Sequence, residues 1–171
     1  MTFRNSVRKG VDAVNIGASW ICHALLAVIT GVICMQVFLR FALNRPTSWS
    51  EEIALLCLIW FGLLAIAIGI RRHEHVAISF LRDMLPNGAA VALDYMAQAA
   101  MAVFMLAVLV YGQDLLVLAG QQVLPASGLP KQWLYLPTIA GGLLGLFNAV
   151  ANIVLRDVGD PNFSVEGLHA D

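Results

Sequence analysis

Residues 46–72 read PTSWSEEIALLCLIWFGLLAIAIGIRR, and the fold turns on them. Residues 53–70 are 18 consecutive uncharged positions, bounded by Glu51 and Glu52 on one side and by Arg71 and Arg72 on the other. An α-helix rises about 1.5 Å per residue, so about 20 largely apolar residues cross the hydrocarbon of a bilayer. With Trp49 and Ser50 the stretch reaches that length, which predicts a transmembrane helix over 50–70.

The same test applied outward finds three more uncharged spans, 13–39, 95–113 and 132–155. Of the 171 residues 60% are hydrophobic and 12% charged, where a soluble domain carries roughly a quarter charged. The chain therefore reads as an all-α integral membrane protein, a single membrane domain over 1–171 with four transmembrane helices at about 13–39, 50–70, 90–114 and 132–155. The first span follows Arg4, Arg8 and Lys9 as the core of a signal peptide would. Its 27 uncharged residues exceed the roughly 7–15 of such a core, and its exit, VFLRFALNRP, lacks a small-residue cleavage pattern, so it is expected to stay in the mature chain. A net charge of −1 carries no polyanion-binding signature and argues against nucleic acid as a partner. Cys22, Cys34 and Cys57 lie in apolar spans without C-x-x-C spacing and read as small buried hydrophobes.

Lysine and arginine in the short flanking segments set orientation. Segments 1–12, 71–94 and 156–171 hold Arg4, Arg8, Lys9, Arg71, Arg72, Arg82 and Arg156, whereas the intervening loops hold Arg40, Arg45 and Lys131. Seven against three predicts both termini in the cytoplasm, with the loop around residue 47 outside, which in a bacterium is the periplasm. After the second span, Ala77, Phe80, Leu81, Met84 and Leu85 recur at helical spacing opposite His75, Ser79, Arg82 and Asp83. This pattern predicts a short amphipathic helix in the cytoplasmic interface, ended by Pro86 and turned by Asn87-Gly88. Arg71, Arg72 and His75 are candidate interfacial anchors on that side; Trp133 and Tyr135 are candidates for the aromatic belt on the other. Residues 156–171 are acidic, lack apolar periodicity and read as a mobile cytoplasmic tail.

Two carboxylates at the mouth of a membrane helix need partners. Ser48-x-x-Glu51 reads as a capping box, in which the serine oxygen accepts from the Glu51 amide and the glutamate reaches back to the Ser48 amide. Adjacent helical residues point about 100° apart, so only one of Glu51 and Glu52 can close the box. The other looks to Arg40 or Arg45 in the same loop, or to a second protein, which makes Trp49, Glu51, Glu52, Arg40 and Arg45 candidates for a partner interface or for fixing the loop.

Gly141-x-x-x-Gly145, with Asn148 and Asn152 on roughly the same face, is a candidate helix-packing surface. Small residues admit a neighbouring backbone, and an amide facing lipid would be poorly satisfied. The spacing leaves open whether the neighbour belongs to this chain or to another. Gly62, Ala65 and Gly69 form a weaker face of the same kind.

Enzymatic chemistry needs a constellation, and the sequence offers none. There is no P-loop, nucleophile elbow or H-E-x-x-H signature, and His73 and His75 at i, i+2 diverge on a helix. His23, the one histidine within a span, cannot make a bis-histidine haem and reads as a hydrogen-bonded helix residue. No cofactor or metal is expected. Asp94 and Asp114 lie near helix ends and read as solvated carboxylates, neither at the mid-depth that would suggest an ion path. No halves repeat and no span is broken by proline near its middle. The expectation is a compact four-helix module that binds another component.

The segment RPTSWSEEIALLCLIWFGLLAIAIGIRRHEHVAISFLRDMLP, residues 45–86, resembles the small membrane subunit of tripartite ATP-independent periplasmic (TRAP) transporters, the DctQ-like proteins. The likeness rests on Trp49-Ser50-Glu51-Glu52, Phe61-Gly62, Arg71-Arg72, His75-Val76 and Leu85-Pro86, with a weaker echo in LPKQWLYLP at 129–137. The resemblance implies a bacterial inner-membrane subunit that scaffolds a large multi-helix transport subunit, the latter carrying substrate and sodium sites. It also implies a soluble periplasmic substrate-binding protein that delivers an organic acid and docks transiently. The sequence departs from the pattern after the glutamates, where Ile53, Ala54 and Leu55 stand in place of a nearby arginine, and at His73, where a glycine is common. Two other readings stand beside it: a self-contained homo-oligomeric channel or transporter, and a haem or quinone anchor, the second disfavoured by the histidine count.

Overall fold

The structure is a computed structural model, and it describes residues 2–45, 47–72 and 87–155, with the backbone alone for 2–4 and 87. Its elements are α1 (Thr2–Ala42), α2 (Ser48–Arg71), α3 (Asn87–Ala119), a single 3-10 turn at Lys131–Leu134, and α4 (Leu136–Leu155). Four helical segments are long and apolar enough to cross a membrane, and no strand longer than the isolated Val123–Pro130 bridge occurs among the described residues. The expected amphipathic helix with His75, and the tail at 156–171, lie outside the described residues.

At 41 residues, α1 is about 61 Å long, twice the thickness of the hydrocarbon. The uncharged span marks only its middle. The helix begins earlier because its first turns have something to pack on: Val11 joins Ala151 and Leu155 of α4 in a small apolar cluster. At the other end Asn44 takes a left-handed conformation, φ 52°, which lets the Arg45 N–H reach back to the Leu39 carbonyl at 3.0 Å. A short polar side chain tolerates that conformation better than most.

The helices pack as a row. α1 lies on α2, α2 on α4, and α4 on α3, with α1 touching α4 at one end. Consequently 44% of the most apolar stretch of the α4 segment is buried inside the chain and only 6% of that of α1.

Glycine puts α4 at the centre. A Cβ on Gly141 would sit 2.9 Å from the Leu63 carbonyl oxygen of α2, and one on Gly145 would sit 2.9 Å from Met105 Sδ of α3. The two residues, spaced like a single packing face, thus open α4 to a different neighbour on each side. Gly142 continues the second contact, against Leu109. The weaker face in α2 has no such role at Gly62, where a Cβ would meet nothing within 4 Å.

Candidate functional site

Two polar sites tie the row together, one at each end of the bundle. The first is a buried hub at the end that holds the α1 start and the α2 and α4 finishes. Asn148 of α4 donates from Nδ2 to Asn15 Oδ1 of α1 at 2.7 Å and accepts from Asn15 Nδ2 at 2.8 Å, a reciprocal amide pair, while also donating to the Ala67 carbonyl of α2 at 2.8 Å. One turn on, Asn152 Nδ2 donates to the Ile70 carbonyl at 2.9 Å. Ile70 stands in the last turn of α2, where helix carbonyls lack intrahelical partners, and Asn152 gives this one a donor. The same amide reaches Gln98 Oε1 of α3 at 3.4 Å.

Arg71 completes the hub. Its Nη1 donates to Asn152 Oδ1 at 2.6 Å, and its Nε and Nη2 both donate to Asp12 Oδ1, at 3.0 and 2.9 Å. All four helices therefore contribute a side chain to one network. Arg71 is 3% exposed and Asn148 and Asn152 are wholly buried, so each polar group must find its partner inside the protein. A cation at the last turn of α2 also faces the negative end of the helix dipole. Arg71 is thus no interfacial anchor, in contrast to the expectation: the hub's acceptors draw the guanidinium inward. Its neighbour Arg72 is exposed.

The second site is a clasp at the opposite, hairpin end. The expected Ser48–Glu51 capping box does not form: Thr47 is the cap residue, with φ −115° and ψ 103° and no side-chain bond to the helix amides. In its place the fully buried Ser50 hydroxyl donates to the Thr47 carbonyl at 2.6 Å and lies 2.9 Å from Thr47 Oγ1. That frees both glutamates, and they diverge as adjacent helical residues must. Glu51 Oε1 accepts from Gln36 Nε2 of α1 at 3.0 Å. Glu52 turns to the 120–130 hairpin, where Oε1 accepts from the Ala126 N–H at 3.0 Å and Oε2 from the Ser127 N–H at 2.7 Å and Ser127 Oγ at 2.6 Å.

The hairpin is built to present those amides. Leu124 N–H bonds to the Leu129 carbonyl and Gly128 N–H to the Leu124 carbonyl, with Gly128 at φ 70° where a side chain would be strained. Lys131 N–H closes the base on the Gln122 carbonyl. Between hairpin and helix lies an open groove of about 650 Å³ lined by Trp49, Glu51, Glu52, Pro125 and Ala126 among others.

The remaining expected residues fall around these sites. Arg40 is exposed, 5.8 Å from the Phe41 ring, and Arg45 is exposed; neither pairs with a glutamate among the described residues. Trp133 is 45% exposed and its carbonyl accepts from Trp60 Nε1 of α2 at 3.2 Å; Tyr135 is half-buried. Asp94 is half-buried one turn before Gln98, and Asp114 is exposed. Cys22 and Cys57 are buried, whereas Cys34 is exposed. Asp12, Asn15, Gln36, Gln98 and Ser127 were not singled out from sequence. For Asn15 the signal was present, since Val11, Asn15, Ala18 and Cys22 follow helical spacing and all are buried.

The family model for the DctQ component of tripartite ATP-independent periplasmic transporters matches residues 29–158. The chain is similar to the sialic acid TRAP transporter small permease protein SiaQ of Vibrio cholerae, 31% identical over 129 residues that cover 75% of each chain. It is also 35% identical over 68 residues to the sialic acid TRAP transporter permease protein SiaT of Haemophilus influenzae, a match spanning 40% of this chain and 11% of that one.

Proposed function

From the premise that this chain belongs to the DctQ component family of TRAP transporters, we propose that it holds the large transport subunit in the bilayer while that subunit moves the solute. It is a TRAP small permease subunit, a multi-pass protein of the bacterial inner membrane, and its partner is a large permease. The scaffolding role is supported by one observation above the rest. The buried polar side chains Asn15, Arg71, Gln98, Asn148 and Asn152 are engaged helix to helix, so the bundle interior is a weld and not a solute path.

On this reading both termini are cytoplasmic and the clasp faces the periplasm, where a soluble binding protein delivers an organic acid for sodium-coupled uptake. The groove beside Trp49, Glu51 and Glu52 is the surface this chain offers to that delivery. Sialic acid, named for the relatives, is itself a carboxylic acid.

The test is purification of the tagged chain in mild detergent, followed by reconstitution. A much larger polytopic permease is expected to accompany it, and vesicles holding this chain alone are expected to pass no solute. Accumulation of solute by those vesicles would overturn the scaffold reading.

A further inference from the structure

His23 lies on an exposed face of α1, its Nδ1 donating to the Ser19 carbonyl at 2.7 Å. A carbonyl only accepts, so Nδ1 carries the hydrogen, and Nε2 of this exposed ring is the nitrogen left to accept. Trp20, one turn away, is 73% exposed and stands against the imidazole, ring centroids 6.2 Å apart. Its indole N–H has no acceptor among the described residues. The 13–39 span puts His23 about 15 Å from one end and about 24 Å from the other, so a hydrocarbon layer of roughly 30 Å placed anywhere within it covers the ring. One exposed face of α1 therefore carries a donor and an acceptor on neighbouring rings, in a span where lipid tails supply neither counterpart.

We infer that this Trp20–His23 stripe of α1 is a seat for a transmembrane helix of the large permease, whose hydroxyl or carboxamide side chain accepts from the indole and donates to Nε2. A Ser, Thr, Asn or Gln side chain has both functions within one group. Among the described residues α1 is the end of the row, covered by its own chain on one side only. In the SiaT relative a segment matching 40% of this chain makes up 11% of a longer permease chain, so there sequence of this kind and the permease share one polypeptide. The inference rests on the scaffold reading, and its test separates the two.

With His23 intact, a photoreactive benzophenone residue is placed at Ala27, one turn from His23 on the same face, or at Val28, about 140° from His23 around the helix. In the assembled transporter the Ala27 position is expected to cross-link to the large permease at least fivefold more than the Val28 position. Equal yields, lipid adducts alone, or adducts to a second copy of this chain at Ala27 would overturn the inference. Co-purification of the large permease with the unmodified chain tests the scaffold reading by itself. In a second measurement, His23→Leu is expected to lower permease retention in detergent on the order of three- to tenfold, the range of single hydrogen bonds between membrane helices, and His23→Gln to restore most of it. Retention unchanged in His23→Leu would also overturn the inference, because the ring bonds only its own helix backbone and its loss leaves the fold intact.

Discussion

The two ends of this bundle are fastened by opposite means. At the hub, buried amides and one buried guanidinium join the four helices, with the partly exposed Asp12 carboxylate at its edge. At the clasp, one carboxylate at the mouth of α2 grips backbone amides of a loop at the protein surface. The hub's groups have no alternative partner in lipid, so it should give way only when the helices separate. Water competes for every bond of the clasp, which should open by itself. The molecule thus carries a fixed end and an adjustable one, and the scaffold role proposed above calls for both.

The comparison breaks first at Arg71. Arg71→Met removes the link between Asp12 and Asn152 and is expected to cost on the order of 3 kcal/mol, the upper scale for hydrogen bonds to a charged group. Lysine should not restore it, since a single ammonium cannot reach Asp12 and Asn152 in the same geometry. Unfolding in a detergent titration reads the loss. A midpoint equal to that of the unmodified chain would remove the hub as the fixed end.

Next in size is the amide pair. Asn148→Leu and Asn15→Leu should each cost about 1–2 kcal/mol, and the double substitution less than their sum, because both delete the same two hydrogen bonds. Strict additivity would mean that the pair contributes nothing as a unit.

These residues also mark how far sequence carries. The four spans and the family were legible because charge is excluded from hydrocarbon and the exclusion leaves long uncharged runs. Asn148 and Asn152 stood out for the same reason, an i, i+4 amide pair in an apolar helix. Their neighbours did not, because Asn15 lies 133 positions away in the chain and spacing within one helix is silent on which helix faces it. Arg71 misled for a related reason: an arginine at the end of an apolar run anchors to headgroups unless acceptors wait inside, and those acceptors belong to α1 and α4. The capping box failed by one residue. Thr47 and Ser50 repeat the i, i+3 polar spacing of Ser48 and Glu51, and the register that buries Ser50 leaves Glu52 free to reach a loop 75 positions away.

The gentlest changes test the adjustable end. Glu52→Gln keeps the shape of the side chain but replaces one acceptor oxygen with an N–H₂ group that cannot accept from Ala126 or Ser127. Hydrogen exchange at those two amides should accelerate several-fold while the unfolding midpoint stays where it is, and uptake by the assembled transporter should fall with membrane insertion intact. If the midpoint drops as far as in Arg71→Met, the clasp is part of the same cooperative unit as the hub and the two ends do not differ. Glu51→Gln should do least of all. Its single bond to Gln36 is exposed, an amide can replace the carboxylate as acceptor, and bonds of this kind contribute only about 1 kcal/mol before water competes. An effect on uptake from Glu51→Gln as large as that from Glu52→Gln would shift the docking surface from the hairpin toward α1.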